Sequence, residues 1–222
     1  MNNNYILDVC CGICLLGVYQ QLDFNNNQYY FVFSGDNICC ENEYNKRKEV
    51  FLKVCEYYKI SNTFIIPYNH EDYLEFIKGY EAEKEGGARC LLCFKYRFIK
   101  LFKNLKNINL KFVSSNNESK FDKDQIIYFS TTLSVSRFKN YENIKLAAEN
   151  FINEYSNNLS GKYSEIFNSF IYNYFNDKKL KISFYEKNFR NDELYKNGIK
   201  IAKELNLYRQ KFCGCEFSKI VK

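Results

Sequence analysis

Proline occurs once in this 222-residue chain, histidine occurs once, and no run of about 18 apolar residues is present. The last absence predicts that the chain does not span a membrane. The opening MNNNYILDVCC lacks the basic start, long apolar run and small-residue cleavage site of an export signal. The expectation is therefore a protein of the reducing cytoplasm. The lone histidine, His70, opens an acidic helix start, HEDYLEF, away from every cysteine group, which predicts a surface role. The lone proline, Pro67, marks the exit of a strand. Its scarcity, beside heavy use of Asn, Lys, Tyr, Phe and Ile, reads as coding bias rather than mechanism.

What is present begins with size and charge. At 222 residues one domain, 1–222, is the default, and 46% hydrophobic with 18% aromatic residues is enough to bury a core. The net charge of +6, from 32 basic and 26 acidic residues, suits a nucleic-acid partner without requiring one. NYILDV has the pattern of a short buried strand that runs into a cysteine turn, with helical spacing in LLGVYQQL after it. QYYFVFSG predicts a second strand, YNKRKEVFLKVCEYYKI an amphipathic helix, and NTFIIPY a third strand. Two helices separated by Gly86 and Gly87 follow, then a strand in DQIIYFSTTLSVS, a strand in KISFYEK and a helix in NDELYKNGIKIAKELN. Strands alternating with helices predict an α/β fold, a Rossmann-like parallel sheet flanked by helices, in which ligands sit beyond the carboxyl ends of the strands. Residues 151–180 are expected to form a helical insertion, and LYRQKFCGCEFS a cysteine-bearing C-terminal tail.

Ten cysteines then need a purpose, because clustered thiols in a reducing compartment bind metal or do redox chemistry more often than they cross-link. Seven fall into three groups: Cys10, Cys11 and Cys14; Cys90 and Cys93; Cys213 and Cys215. A Cys-x-x-Cys pair brings two thiolates to one metal or cluster, and several such groups make the soft sulfur environment that zinc or iron-sulfur clusters select. One closed zinc site needs four sulfurs, so seven favour a cluster, or a cluster beside a second metal. Cys55, on a helix face, reads as a small core residue, and Cys39 and Cys40 as incidental thiols.

Four ordered stretches, CCGIC, GGARCLLCFKYR, TTLSVSRFKN and LYRQKFCGCEFS, together resemble the cobalamin-independent epoxyqueuosine reductases of the QueH family. The family's patterns are close to CCAPC or CCAPD, then G-x-RC-x-x-C-x-x-R, TTLSxSxxKN and LYRQxxCGCxFS. The resemblance implies an oxidoreductase that removes the epoxide oxygen of epoxyqueuosine in tRNA as water, with two electrons and two protons. It implies a 4Fe-4S cluster beside a separately held iron or other divalent metal, an external electron donor, and Cys10, Cys11, Cys14, Cys90, Cys93, Cys213 and Cys215 as ligands. Asp8 stands where many members have His, Asp36 and Arg137 stand where prolines are usual, and Arg190 keeps a cation near the end of the chain.

Around these thiols, Asp8 and Asp36 at strand ends are expected to donate or ligate, with a capping or turn role as the rival for Asp36. Tyr208 and Arg209 beside the last cysteines are expected to position substrate, with simple packing of the tail as the rival. Thr131, Thr132 and Ser134 offer hydroxyls to a sugar or phosphate, against a simple capping turn. Cations at Lys95, Arg97, Lys100, Lys103 and Lys106 recur at helical spacing and suggest a phosphate-facing stripe, with a merely solvated lysine face as the equal rival and Arg97 and Arg190 as substrate contacts. Two rival functions remain: another cluster-dependent tRNA-modifying enzyme, such as one inserting sulfur, whose SGGxDS phosphate loop is missing here, and a non-enzymatic zinc-bound RNA-binding module.

Overall fold

The computed structural model describes residues 3–105, 108, 126–157 and 181–218. Its sheet comprises β1 (Asn3–Val9), β2 (Asn27–Phe33), β3 (Thr63–Ile65), β4 (Ile126–Thr131) and β5 (Lys181–Phe184). All four pairings are parallel and the spatial order is β3-β2-β1-β4-β5. The helices are α1 (Gly12–Tyr19), α2 (Glu41–Tyr57), α3 (His70–Phe76), α4 (Ala88–Lys103), α5 (Tyr141–Asn157) and α6 (Asp192–Glu204), with 3-10 turns at Thr132–Val135 and Glu216–Ser218. This is the α/β architecture expected from the sequence. The first seven residues of the expected 151–180 insertion are the end of α5, and 158–180 lie outside the described residues. Among the described residues no helix is long and apolar enough to cross a membrane.

Helices cover both faces of the sheet because each central strand is apolar on both sides. On β1, Ile6 joins Val32, Ile127 and Phe129 in a core closed by Phe98 and Phe102 of α4 and Phe151 of α5. Its neighbours Leu7 and Val9 point the other way, into a core with Leu15 of α1, Val50 and Phe51 of α2, and Ile201 of α6. Such two-sided burial belongs to central strands of parallel sheets. The side-chain period of two puts Asp8 on the α4 face with Ile6. Gly12 is fixed by packing, since a Cβ there would lie 2.6 Å from the carbonyl oxygen of Val50 in α2.

The chain leaves β1 toward β2 and β3 on one side, while β4 and β5 occupy the other. Crevices at such reversals, beyond the carboxyl ends of the strands, are where open α/β sheets bind ligands. The CCGIC turn follows β1, the Thr131–Ser134 turn follows β4, and the N-terminus of α4 and the tail complete the same edge.

Candidate metal site

The first sulfur group grows out of a helix start. Cys11 is the N-cap of α1, with extended backbone (φ −168°), and its sulfur accepts the Cys14 N–H at 3.4 Å. It lies 3.2 Å from the Cys14 sulfur and 4.0 Å from that of Cys10, and all three lie within 4.8 Å of one another. Sulfurs on a tetrahedral ion with bonds of about 2.3 Å stand roughly 3.8 Å apart, so the donor set and its spacing fit a thiophilic metal. Hydrogen bonds from the Cys10 and Cys14 thiols, then the Cys14 N–H and the Gln210 amide, hold the Cys11 thiol well below its usual range against burial. Cys10 is pushed up to about 12, chiefly by its bond to Cys11, and Cys14 rises for the same kind of reason. The three thiols share hydrogen bonds in a way that favours losing the first proton at Cys11, and a bound cation would favour the thiolate at all three.

The second group joins α4 to the tail. Cys90 and Cys93 sit one turn apart at the start of α4, and the Gly86 N–H reaches the Cys90 sulfur at 3.2 Å. Burial pushes the Cys93 thiol up, with Cys213, Cys90 and Cys215 adding to the rise and Arg97 opposing it, so these sulfurs feel one another's charge. Tyr73 donates its hydroxyl to Cys215 at 3.7 Å. Lys139 donates to Cys213 at 3.0 Å and to Glu85 at 2.9 Å. Burial works against the Lys139 charge, but Cys213 and Glu85 outweigh it and keep the ammonium protonated.

Specific contacts draw the two groups together. The Gln210 amide, on the tail, donates to Cys11 at 2.9 Å. Thr132 accepts the Cys10 N–H at 3.0 Å, and seven residues later the same loop delivers Lys139 to Cys213. Arg47 of α2, paired with Glu43 at 2.7 Å, donates to the carbonyls of Cys213 at 2.8 Å and Phe212 at 3.2 Å. Between the last two cysteines Gly214 takes φ +118°, and a Cβ there would meet the Arg47 guanidinium at 2.8 Å. Glycine is what lets the tail turn against that cation.

Beneath the thiols lies a buried ionic lock. Arg97 donates to Asp8 through Nε at 2.9 Å and Nη2 at 2.8 Å, and through Nη1 to Asn37 at 2.8 Å. Thr131 at 2.8 Å and Ser34 at 3.0 Å also donate to Asp8, so one carboxylate ties together the ends of β1, β2 and β4 and the helix α4. Arg97 comes from the same stripe of α4 as Cys93, one turn on. The lock therefore sets where Cys93 stands relative to Cys10.

The other residues singled out from the sequence fall around this frame. Asp36 is buried and engaged: it accepts from Asn69 N–H at 2.9 Å, Tyr96 at 2.8 Å and Lys100 at 2.8 Å. The Thr131, Thr132 and Ser134 hydroxyls all bind protein groups, Ser134 accepting the Phe189 N–H at 3.2 Å. Tyr208 donates to Glu43 at 2.8 Å, and Arg209 is exposed on the tail. Arg190 clamps the carbonyls of Ser136 and Lys139 at 2.8 and 3.0 Å.

Two expectations are corrected. The basic stripe on α4 does not face solvent as a set: Lys95 pairs with Glu154, Arg97 is buried, and Lys100 reaches both Asp36 and Asp72. Lys106 lies outside the described residues. Nor is His70 a surface group. Its Nδ1 donates to the Asp36 carbonyl at 2.6 Å and its Nε2 stands 2.9 Å from Glu216, one residue past Cys215. Lys139, Gln210 and the Glu43–Arg47 pair were not picked from the sequence. Lys139 and Gln210 sit inside two of the four quoted motifs, which was the available signal.

The family model described as epoxyqueuosine reductase QueH matches residues 5–127 and 160–220. Among similar proteins, the epoxyqueuosine reductase QueH of Thermotoga maritima is 29% identical over 216 residues, covering 96% of this chain and 88% of that one. The protein of the same name from Acinetobacter baylyi is 27% identical, with 96% and 79% covered. That from Streptococcus pyogenes is 24% identical, with 96% and 69% covered.

Proposed function

We propose that this chain, which belongs to the epoxyqueuosine reductase QueH family, is an oxidoreductase that reduces epoxyqueuosine in tRNA to queuosine. The epoxide oxygen leaves as water, at the expense of two electrons from an external donor and two protons. What supports the reading is the Cys10, Cys11 and Cys14 group after β1, at the switch point of the sheet, joined through Gln210 to the tail that carries Cys213 and Cys215, in a chain with more clustered sulfur than one closed site takes. Cys10, Cys11, Cys14, Cys90, Cys93, Cys213 and Cys215 would hold a 4Fe-4S cluster and an adjacent iron or other divalent metal. When bound, such a pair supplies single electrons and a Lewis acid for a poor leaving group.

The protein's own part is to shape and hold that site. Cys11 offers the most acidic thiol of its group at a helix N-terminus, where its sulfur accepts the Cys14 N–H. Lys139 and Gln210 direct N–H groups at Cys213 and Cys11, and donors to ligand sulfurs are among the levers that set reduction potential. Asp8 and Arg97 are positioning residues that fix the strand ends, and Arg47 anchors the tail with its two ligands. The exposed Arg209 and Arg190, with the net charge of +6, favour an RNA phosphate backbone. The proposed place of action is the cytoplasm, where tRNA is found.

Anaerobic purification followed by iron analysis, and then incubation of the reduced protein with tRNA bearing epoxyqueuosine, tests this. The expected result is at least four irons per chain and a modified nucleoside lighter by one oxygen. A colourless protein holding a single zinc would overturn it.

A further inference from the structure

The loop joining β4 to α5 displays one side chain that the proposed chemistry does not use. Phe138 is 84% exposed, whereas the next most exposed large apolar side chain among the described residues, Tyr57, is 47% exposed. A phenyl ring in water gives up the free energy that burial would bring. This loop is held. Its Phe138 N–H donates to the Ser136 hydroxyl at 3.2 Å, and the Lys139 N–H donates to the Ser136 carbonyl at 3.3 Å. Arg190 grips the carbonyls of Ser136 and Lys139 from outside, while the Lys139 side chain is anchored on Cys213. The ring is therefore presented to solvent by residues tied down on both sides of it, one of them touching a ligand sulfur.

We propose that Phe138 is a stacking platform for an unpaired nucleobase of the RNA substrate, at the rim of the thiol site. The inference rests on the reading of this chain as a reductase acting on tRNA. Unpaired bases are commonly captured by stacking on aromatic rings beside cations, which is sequence-tolerant because every base offers a π-face. The surroundings of Phe138 have that composition. Arg137 precedes it with its side chain 62% exposed and 3.5 Å from Asp192, and the exposed Arg190 lies against the same loop, while Lys139 after it is buried. A surface for docking another protein needs a contiguous apolar patch. Phe138 instead stands alone beside two exposed arginines, Arg137 and Arg190, whose charge suits a partner that carries phosphates.

The chain contains no tryptophan, so Phe138→Trp installs a single indole fluorophore at the proposed platform. In the metal-loaded variant, tRNA bearing epoxyqueuosine and the same tRNA without the modification are both expected to quench its emission saturably. A blunt-ended RNA duplex with no unpaired bases is expected not to. Phe138→Ala is expected to raise the KM for tRNA by roughly tenfold with kcat near the parent value, and Phe138→Tyr to restore it. If the parent protein reduces epoxyqueuosine but the indole emission of the Phe138→Trp variant ignores tRNA, the platform is overturned and the reductase reading stands. Quenching by tRNA without any reduction by the parent protein overturns the reductase reading and leaves the platform. Quenching by a small acidic redox protein, and not by RNA, overturns the platform in favour of a donor-docking surface.

Discussion

Replacing Asp8 by alanine tests the lock beneath the thiols. The Asp8 side chain is 0% exposed and that of Arg97 4%, so water screens neither charge. The substitution removes the acceptor of two guanidinium bonds and two hydroxyl bonds, and leaves Arg97 with Asn37 and, at 3.3 Å, the Val9 carbonyl. Breaking a buried pair from one side costs about 3–5 kcal/mol, a large share of the roughly 5–15 kcal/mol that holds a folded protein together. In urea, with a slope of about 2 kcal/mol per molar, the unfolding midpoint followed by circular dichroism should fall by about 2 M at equal iron content. Removing both charges should cost less than the two single changes together, because Asp8→Ala with Arg97→Met leaves no unpaired ion in the core. A midpoint shift under about 0.5 M, or strict additivity in the double variant, would refute the lock.

Other outcomes follow from the same geometry. Cys10→Ser and Cys11→Ser, prepared separately, should lose different amounts of iron, since Cys11 caps α1 at 3.2 Å from Cys14 whereas Cys10 stands 4.0 Å to its side; equal and total loss from both would argue against divided duties. Arg47→Met should free the tail, seen as faster proteolysis after residue 207 and lower iron content, because two tail carbonyls lose their buried donor. At pH 8, in metal-free protein, alkylation read by mass spectrometry should reach exposed Cys40 well before Cys55, because burial pushes the Cys55 thiol up to about 12 and keeps it protonated. Gln210→Leu should shift the midpoint potential of the loaded protein while leaving its iron content near the parent value, since the amide donates to the Cys11 sulfur.

The sequence was most legible where one pattern had one physical cause. Apolar runs followed by cysteine or hydroxyl turns marked β1 and β4, and their alternation with helices implied the parallel sheet that is found. The three thiol groups could be grouped from spacing because ligand chemistry restricts the residue types. Charged residues were harder to read. Helical spacing put Lys95, Arg97 and Lys100 on one helix, but their partners Glu154, Asp8, Asp36 and Asp72 come from four other segments, and no local pattern encodes that meeting. His70 was misplaced for the same reason, since Glu216 reaches it from 146 residues away. Lys139 and Gln210 were visible inside motifs yet passed over, because neither is a usual metal ligand and their importance lies in which sulfur they touch.

Reductive removal of one oxygen is the most direct test of the account. The reduced, iron-loaded protein, given tRNA bearing epoxyqueuosine under anaerobic conditions, should yield a nucleoside lighter by one oxygen when the digested tRNA is weighed by mass spectrometry. An unchanged nucleoside, from protein with its full iron complement and a competent external reductant, would contradict it.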